Sequence, residues 1–211
     1  MAVRRLADPG NGGAAVTRQQ VHRRARSRDK LGRILAATAE ALAELPYDEV
    51  GTRLIAERAG VSVGTLYRFF PDKDSIGRAL LLRWLDDFTA IVDRGAAAPL
   101  PAGASAFVGQ LLDAYAEFFR AEPGFRSIFY HAPRTGELRV AQRRNDDDVA
   151  DRLHDVLVTG YGLAPGGLRT RCLIAVQVTD FLLGLAFRDQ PAGDATVLAE
   201  AHRLVCGYLG V

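Results

Sequence analysis

GTRLIAERAGVSVGTLYRFFPDK, residues 51–73, decides how the rest of the chain is read. Leu54 and Ile55 supply apolar bulk, while Ala56 and Ala59 are small enough for two helices to cross closely. Gly60 stands where the chain turns sharply, a position that favours glycine because positive φ has no steric cost there. Ser62 is placed to cap a second helix by accepting a backbone N–H. Val61, Leu66 and Phe70 form an inward side, which leaves Val63, Gly64, Thr65, Tyr67, Arg68 and Phe69 on the outer side. Pro71 closes the stretch. Two short helices joined by a glycine turn make a helix-turn-helix, whose second helix fits the major groove of DNA.

Working outward, helical periodicity fills both flanks. Leu31, Ile34, Leu35, Thr38, Leu42 and Leu45 recur at three- and four-residue steps, predicting a helix that begins near Ser27–Asp29 and stops at Pro46. Tyr47 and Val50 are expected to plug the small core beneath the helix pair. Asp72 is placed to cap a long helix over 73–94, with Ile76, Leu80, Trp84, Phe88 and Ile91 or Val92 on its buried stripe. At 1.5 Å per residue it would span roughly 33 Å, enough to join a reading head to a separate body. Further helices are expected over 105–121, 124–131, 136–159, 168–188 and 194–209, separated by Pro- and Gly-rich turns. The helix at 168–188 is apolar on nearly all sides, one stripe being Ile174, Val178, Phe181 and Leu185 and another Cys172, Val176, Leu183 and Ala186. A helix of that kind is buried all round, so one face should meet the core and the other a partner subunit. Strand-period alternation and internal repeats are missing, and the expected fold is all-α.

Charge is unevenly placed. Residues 1–30 hold eight basic groups against Asp8 and Asp29, a balance of +6, so the other residues carry −4 of the +2 total. A basic arm on a neutral-to-acidic body suits a nucleic-acid binder. Residues 1–27, with Pro9, Gly10, Asn11, Gly12 and Gly13, are expected to be a flexible arm. Two cysteines, Cys172 and Cys206, make neither a disulfide framework nor a zinc spacing and read as small buried fillers. His131, His154 and His202 share no metal-ligand spacing, so neither a metal nor another cofactor is expected. The apolar stretch 172–187 is interrupted by Gln177, Asp180 and Gly184, and no signal-peptide core opens the chain. A cytoplasmic protein without a membrane contact is expected.

Residues 30–84 resemble the N-terminal domain of the tetracycline-repressor (TetR) family of bacterial regulators. The resemblance rests on Thr52, Arg53, Ile55, Ala56, Ala59, Gly60, Val61, Ser62, Gly64, Thr65, Leu66, Tyr67 and Phe70, followed by Asp72 and Lys73. It implies that Arg53 touches the groove edge, that Thr65 and Tyr67 bind backbone phosphates, and that Lys73 anchors the next helix to phosphate. The expected DNA-contact set is Thr52, Arg53, Val63, Gly64, Thr65, Tyr67, Arg68, Phe69 and Lys73. Gly51 and Phe69 depart from the family's frequent choices, a Ser or Thr cap and a histidine. The resemblance also implies a nine- or ten-helix homodimer, paired through its last two helices, on a near-palindromic operator. Three parts are expected: a basic arm over 1–27, a helix-turn-helix domain over 28–74, and a ligand-binding and dimerisation domain over 75–211.

Polar residues on apolar helices point to a pocket in the body. Gln110, Asn145, Gln177 and Asp180, with the aromatic Trp84, Phe88, Tyr115, Phe129 and Phe181, form the candidate ligand set. Asp180, amid Val178, Phe181 and Leu182, needs an arginine, a water or a ligand, since an unpaired buried carboxylate is expensive. Paired catalytic carboxylates, a nucleophile motif and a phosphate-binding loop are all missing, which argues against an enzyme. The expected function is a ligand-responsive homodimeric regulator, a repressor that a small molecule releases from its operator. Two other readings stay open: a small-molecule-binding protein or enzyme with a vestigial reading head, and a regulator or activator without a ligand.

Overall fold

The computed structural model describes residues 18–131 and 136–211. Nine α-helices and one 3₁₀ turn, with no strand, make up the regular structure among them. Helix α1 runs Arg18–Glu44, a 3₁₀ turn covers Tyr47–Glu49, and α2 (Thr52–Arg58) and α3 (Val63–Phe69) follow. The body comprises α4 (Lys73–Ala97), α5 (Ala104–Ala121), α6 (Pro123–His131), α7 (Gly136–Tyr161), α8 (Leu168–Ala186) and α9 (Ala195–Leu209). Among the described residues no helix is long and apolar enough to cross a membrane.

The ends of α4, α7 and α8 fall two or three residues from the expected positions, and one boundary differs by more. Helix α1 begins at Arg18 instead of near Ser27–Asp29, so the second part of the expected arm is helical. Its Arg, Gln and Ala residues are good helix formers, and a packed helix extends cheaply once nucleated. Apolar periodicity could not reveal this, because Ala25 to Lys30 are all exposed and bury nothing. The rest of the expected arm lies outside the described residues.

Helices α1, α2 and α3 close over Ile34, Ile55, Ala56 and Leu66, each at most 1 % exposed. Tyr47 and Val50 are buried beside them, as their placement after Pro46 predicts. Helix α1 also lies along α6 and joins the head to the body. Gly124, on the first turn of α6, permits that approach: a Cβ there would stand 2.7 Å from the Ala39 carbonyl oxygen. The buried side chains form one contiguous set from Ile34 to Leu209.

Around α4, whose stripe Ile76, Leu80, Trp84, Phe88, Ile91 and Val92 is buried, α5, α6 and α7 pack as a sheath. The two open alternatives on that stripe are both buried. Helix α8 packs against α7 and α9. Cys172, Leu183 and Ala186 face inward, while Ile174 at 40 %, Phe181 at 68 % and Leu185 at 37 % exposure form an uncovered apolar stripe. Leu204 and Tyr208 extend that stripe onto α9.

Candidate functional site

The reading head is held by a glycine turn, a helix cap and a few contacts between its helices. Gly60 turns the chain at φ 61, and Val61 N–H donates to the Ala56 carbonyl. Arg33 of α1 donates to the Ala59 carbonyl at 3.1 Å, tying the turn to the first helix. Ser62 Oγ accepts the Thr65 N–H at 3.1 Å and caps α3. Gly51 offers no side-chain cap to α2. Instead, the Thr52 and Tyr67 hydroxyls meet at 3.2 Å and hold the start of α2 beside the outer face of α3.

Arg53, Val63, Gly64, Tyr67 and Arg68 are exposed, and Thr52 and Thr65 are half-buried at their edge. Together they make one surface of two hydroxyls, a phenol and two guanidinium groups. A Cβ on Gly64 would meet nothing within 4 Å, so the backbone there is open to close approach. Phe69, expected on the outer side, is instead half-buried and packs against the core. Lys73 Nζ donates to the Tyr47 carbonyl at 2.8 Å and lies 4.3 Å from the centre of the Tyr47 ring. Tyr47 in turn donates to Asp74 at 2.6 Å, so the start of α4 is clamped to the head. A full capping box of Asp72 and Ser75 begins that helix.

About fifteen residues further along α4, roughly 22 Å at 1.5 Å per residue, Phe88 and Val92 reach a cavity. Its other walls are Val108, Leu111, Leu112 and Tyr115 of α5, Asn145, Val149 and Leu153 of α7, Ala175, Val176, Thr179 and Asp180 of α8, and Val205 of α9. It measures about 40 Å³, room for about three water molecules. Phe88, Asn145 and Asp180 also border a smaller crevice of about 10 Å³ under Phe119 and Phe125.

Four of the expected ligand residues therefore converge: Phe88, Tyr115, Asn145 and Asp180. Trp84 is core, its indole donating to Glu122 at 3.2 Å. Gln110 and Gln177 are exposed, and Phe181 belongs to the outward stripe, because their helix phase turns them from the cavity. The Phe129 side chain lies outside the described residues.

Burial and the neighbouring Asp146 push the Asp180 carboxyl up to about 7. Asp146 itself is buried at 6 % exposure, and burial chiefly raises its pKa too. Its Oδ2 accepts from Gln177 Nε2 at 3.5 Å, whereas Oδ1 has no partner. Sequence reasoning missed Asp146. The signal was its spacing with Val149, Leu153 and Leu157 on the inward face of α7. The apolar walls carried no signal that separates a cavity from a filled core.

Comparison with known proteins accords with this two-part geometry. Residues 34–80 match the family model for bacterial regulatory proteins of the tetR family, and residues 102–210 match the tetracyclin repressor-like C-terminal domain. The chain belongs to the TetR family. A TetR-family transcriptional regulator from Streptomyces coelicolor is 36 % identical, with TM-score 0.64 over 86 % of this chain and 98 % of that one. The repressor KstR of Mycolicibacterium smegmatis is 42 % identical over 71 residues, 34 % of this chain and 35 % of that repressor. The match thus spans about a third of that curated relative. FadR from Bacillus subtilis, solved with stearoyl-CoA, shares the fold at 18 % identity, with TM-score 0.60 over 84 % of this chain and 96 % of that one. As a TetR-family member, the chain has the fold of transcriptional regulators, with its DNA-reading motif in the matched N-terminal segment.

Proposed function

We propose that this TetR-family protein is a ligand-responsive repressor that binds a near-palindromic operator as a homodimer and leaves it when a small molecule occupies the body. The observation that carries this reading is α4. One continuous helix has its first residue clamped to the head through Lys73 and Tyr47, and its Phe88 in the wall of the cavity. A ligand larger than the cavity must displace its walls, and Phe88 cannot move far without moving the helix that carries the head. The effect is a shift between two shapes of the dimer, of which one spaces the recognition helices for successive major grooves. Coupling of about 1–3 kcal/mol suffices for such control.

In this reading residues 28–74 read DNA and residues 75–211 sense and pair. Arg53, Thr52, Val63, Gly64, Thr65, Tyr67 and Arg68 meet the duplex, and Lys73, with two N–H donors beyond the one given to the Tyr47 carbonyl, serves phosphate at their edge. The stripe of Ile174, Phe181, Leu185, Leu204 and Tyr208 supplies the dimer face, where large apolar side chains favour burial against a second copy. KstR's description as a repressor and the stearoyl-CoA bound to FadR support repression and ligand control.

Selection of genomic fragments by the full-length protein should enrich a near-palindrome. Arg53→Ala and Tyr67→Ala should each weaken retention of that fragment at least about tenfold while circular dichroism stays helical. Unchanged retention in both variants would remove those residues from the interface, and no enriched palindrome would remove the reading itself.

A further inference from the structure

Charge in the body is matched in an uneven way. On the outside of α7, Asp147 and Asp151 share Arg169 at 2.7 and 2.8 Å, and Arg152 pairs with Asp93 at 2.7 Å. Toward the interior, Asp180 makes no hydrogen bond or ion pair with any described residue, and Asp146 Oδ1 is buried without a partner. Among the described residues, neither the cavity nor the crevice beside it is lined by a lysine, arginine or histidine. Tyr115 cannot serve as the missing donor, because its hydroxyl already donates to the Phe88 carbonyl at 3.3 Å. Asn145 accepts from Thr89 Oγ1 at 2.9 Å, and its amide N–H groups have no partner among the described residues.

A half-buried carboxyl on an apolar cavity wall, with a second one buried on the neighbouring helix and no cation lining the space, is costly in the ionised form. Folding alone gains nothing from that arrangement, since apolar residues of similar size would pack with less penalty. A cation arriving with a ligand reverses the balance at Asp180, and the second carboxylate adds to its attraction. The remaining walls are hydrocarbon and aromatic, with the Phe88 and Tyr115 rings stacked at 5.2 Å between centroids. Such rings also attract a cation over their faces.

We propose that the effector is a compact lipophilic amine, a protonated ammonium on an apolar or aromatic body, received by Asp180 with Asp146 behind it. This rests on the ligand-responsive reading above and narrows its ligand to one chemical class. The narrow cavity sets the coupling: the apolar body opens it against Phe88, while the ammonium end is held at α8.

The test uses three probes on one carbon skeleton: phenylbutylamine, phenylbutanol and phenylbutyrate, which carry positive, zero and negative charge at pH 7.5. Calorimetric titration of the full-length protein should give amine affinity at least tenfold above the alcohol, with the carboxylate weakest. Asp180→Asn should bring amine and alcohol to similar affinity, its retained alcohol binding serving as the control for an intact cavity. Asp146→Asn should lower the amine's advantage by a smaller factor. Equal or tighter binding of the alcohol by the unaltered protein, or an amine preference that survives Asp180→Asn, overturns the proposal. If the alcohol then still releases the operator fragment, ligand sensing stands and only the cationic class falls. If none of the three probes binds or alters operator retention, the cationic class falls and ligand sensing loses its support at this cavity.

Discussion

The reading head and the helical body solve opposite problems with the same helical material. In the head, polar groups find local partners: Ser62 caps α3, Thr52 meets Tyr67, and Lys73 meets the Tyr47 carbonyl. Its outer surface is exposed and its small core is buried. In the body, Asp180 stands on the wall of an incompletely filled space without a partner, and Asp146 Oδ1 is buried unpaired on the neighbouring helix. A head must keep one shape to match a groove, and these caps and contacts hold it. A body that responds must be able to change, and unsatisfied groups next to a void lower the cost of doing so.

Breaking the head's core tests the first half of that contrast most severely. Leu66 is fully buried under α3, and Leu66→Ala should cost about 2–5 kcal/mol. Thermal melts should show this as a large fall in midpoint, or as an early transition of the head alone. A loss under about 1 kcal/mol would mean the head's packing is slacker than its burial indicates.

The joint between the two regions should respond next. Gly124→Ala would place a methyl group 2.7 Å from the Ala39 carbonyl oxygen, against backbone that cannot rotate away. Helices α1 and α6 must then separate, at a cost of about 1–3 kcal/mol. Because this contact seats the head on the body, operator retention should weaken along with stability. Full retention in a destabilised variant would show that the seat does not govern the head's reading pose.

The smallest effect is the most informative about the body. Asp180 has its carboxyl raised to about 7, above the usual carboxylate range, so the folded state resists its ionisation. The resulting penalty grows as pH rises from about 4 and is complete above about pH 7. Asp180→Asn removes it and should stabilise the protein by about 1–2 kcal/mol at pH 8, the partial exposure of the residue limiting the gain. The advantage should shrink as pH falls toward 5. A variant less stable than the parent at pH 8 would indicate a cationic partner for Asp180 in the folded protein.

Legibility in the sequence followed the range of the interactions. The turn at Gly60, the caps at Ser62 and Asp72 and the stop at Pro46 are local rules, and each stands where the sequence reading puts it. Periodicity likewise separated the two stripes of α8, leaving Ile174, Phe181 and Leu185 outward. The start of α1 was illegible because the stretch before Leu31 is rich in arginine and carries no apolar period to detect. Phe69 was misplaced because a short helix has too few residues to fix its phase; tertiary packing draws its ring inward.

By itself, then, the sequence determined the helical framework and the reading motif, since caps, turns and periods act within a few positions. Tertiary structure alone decided which polar residues influence one another. Asp146 and Asp180 are 34 positions apart on different helices, and Gln177 and Phe181, on the same helix as Asp180, turn away from the cavity. The physical reason is that a cavity is defined by what several helices fail to fill, and no single stretch of chain carries that information.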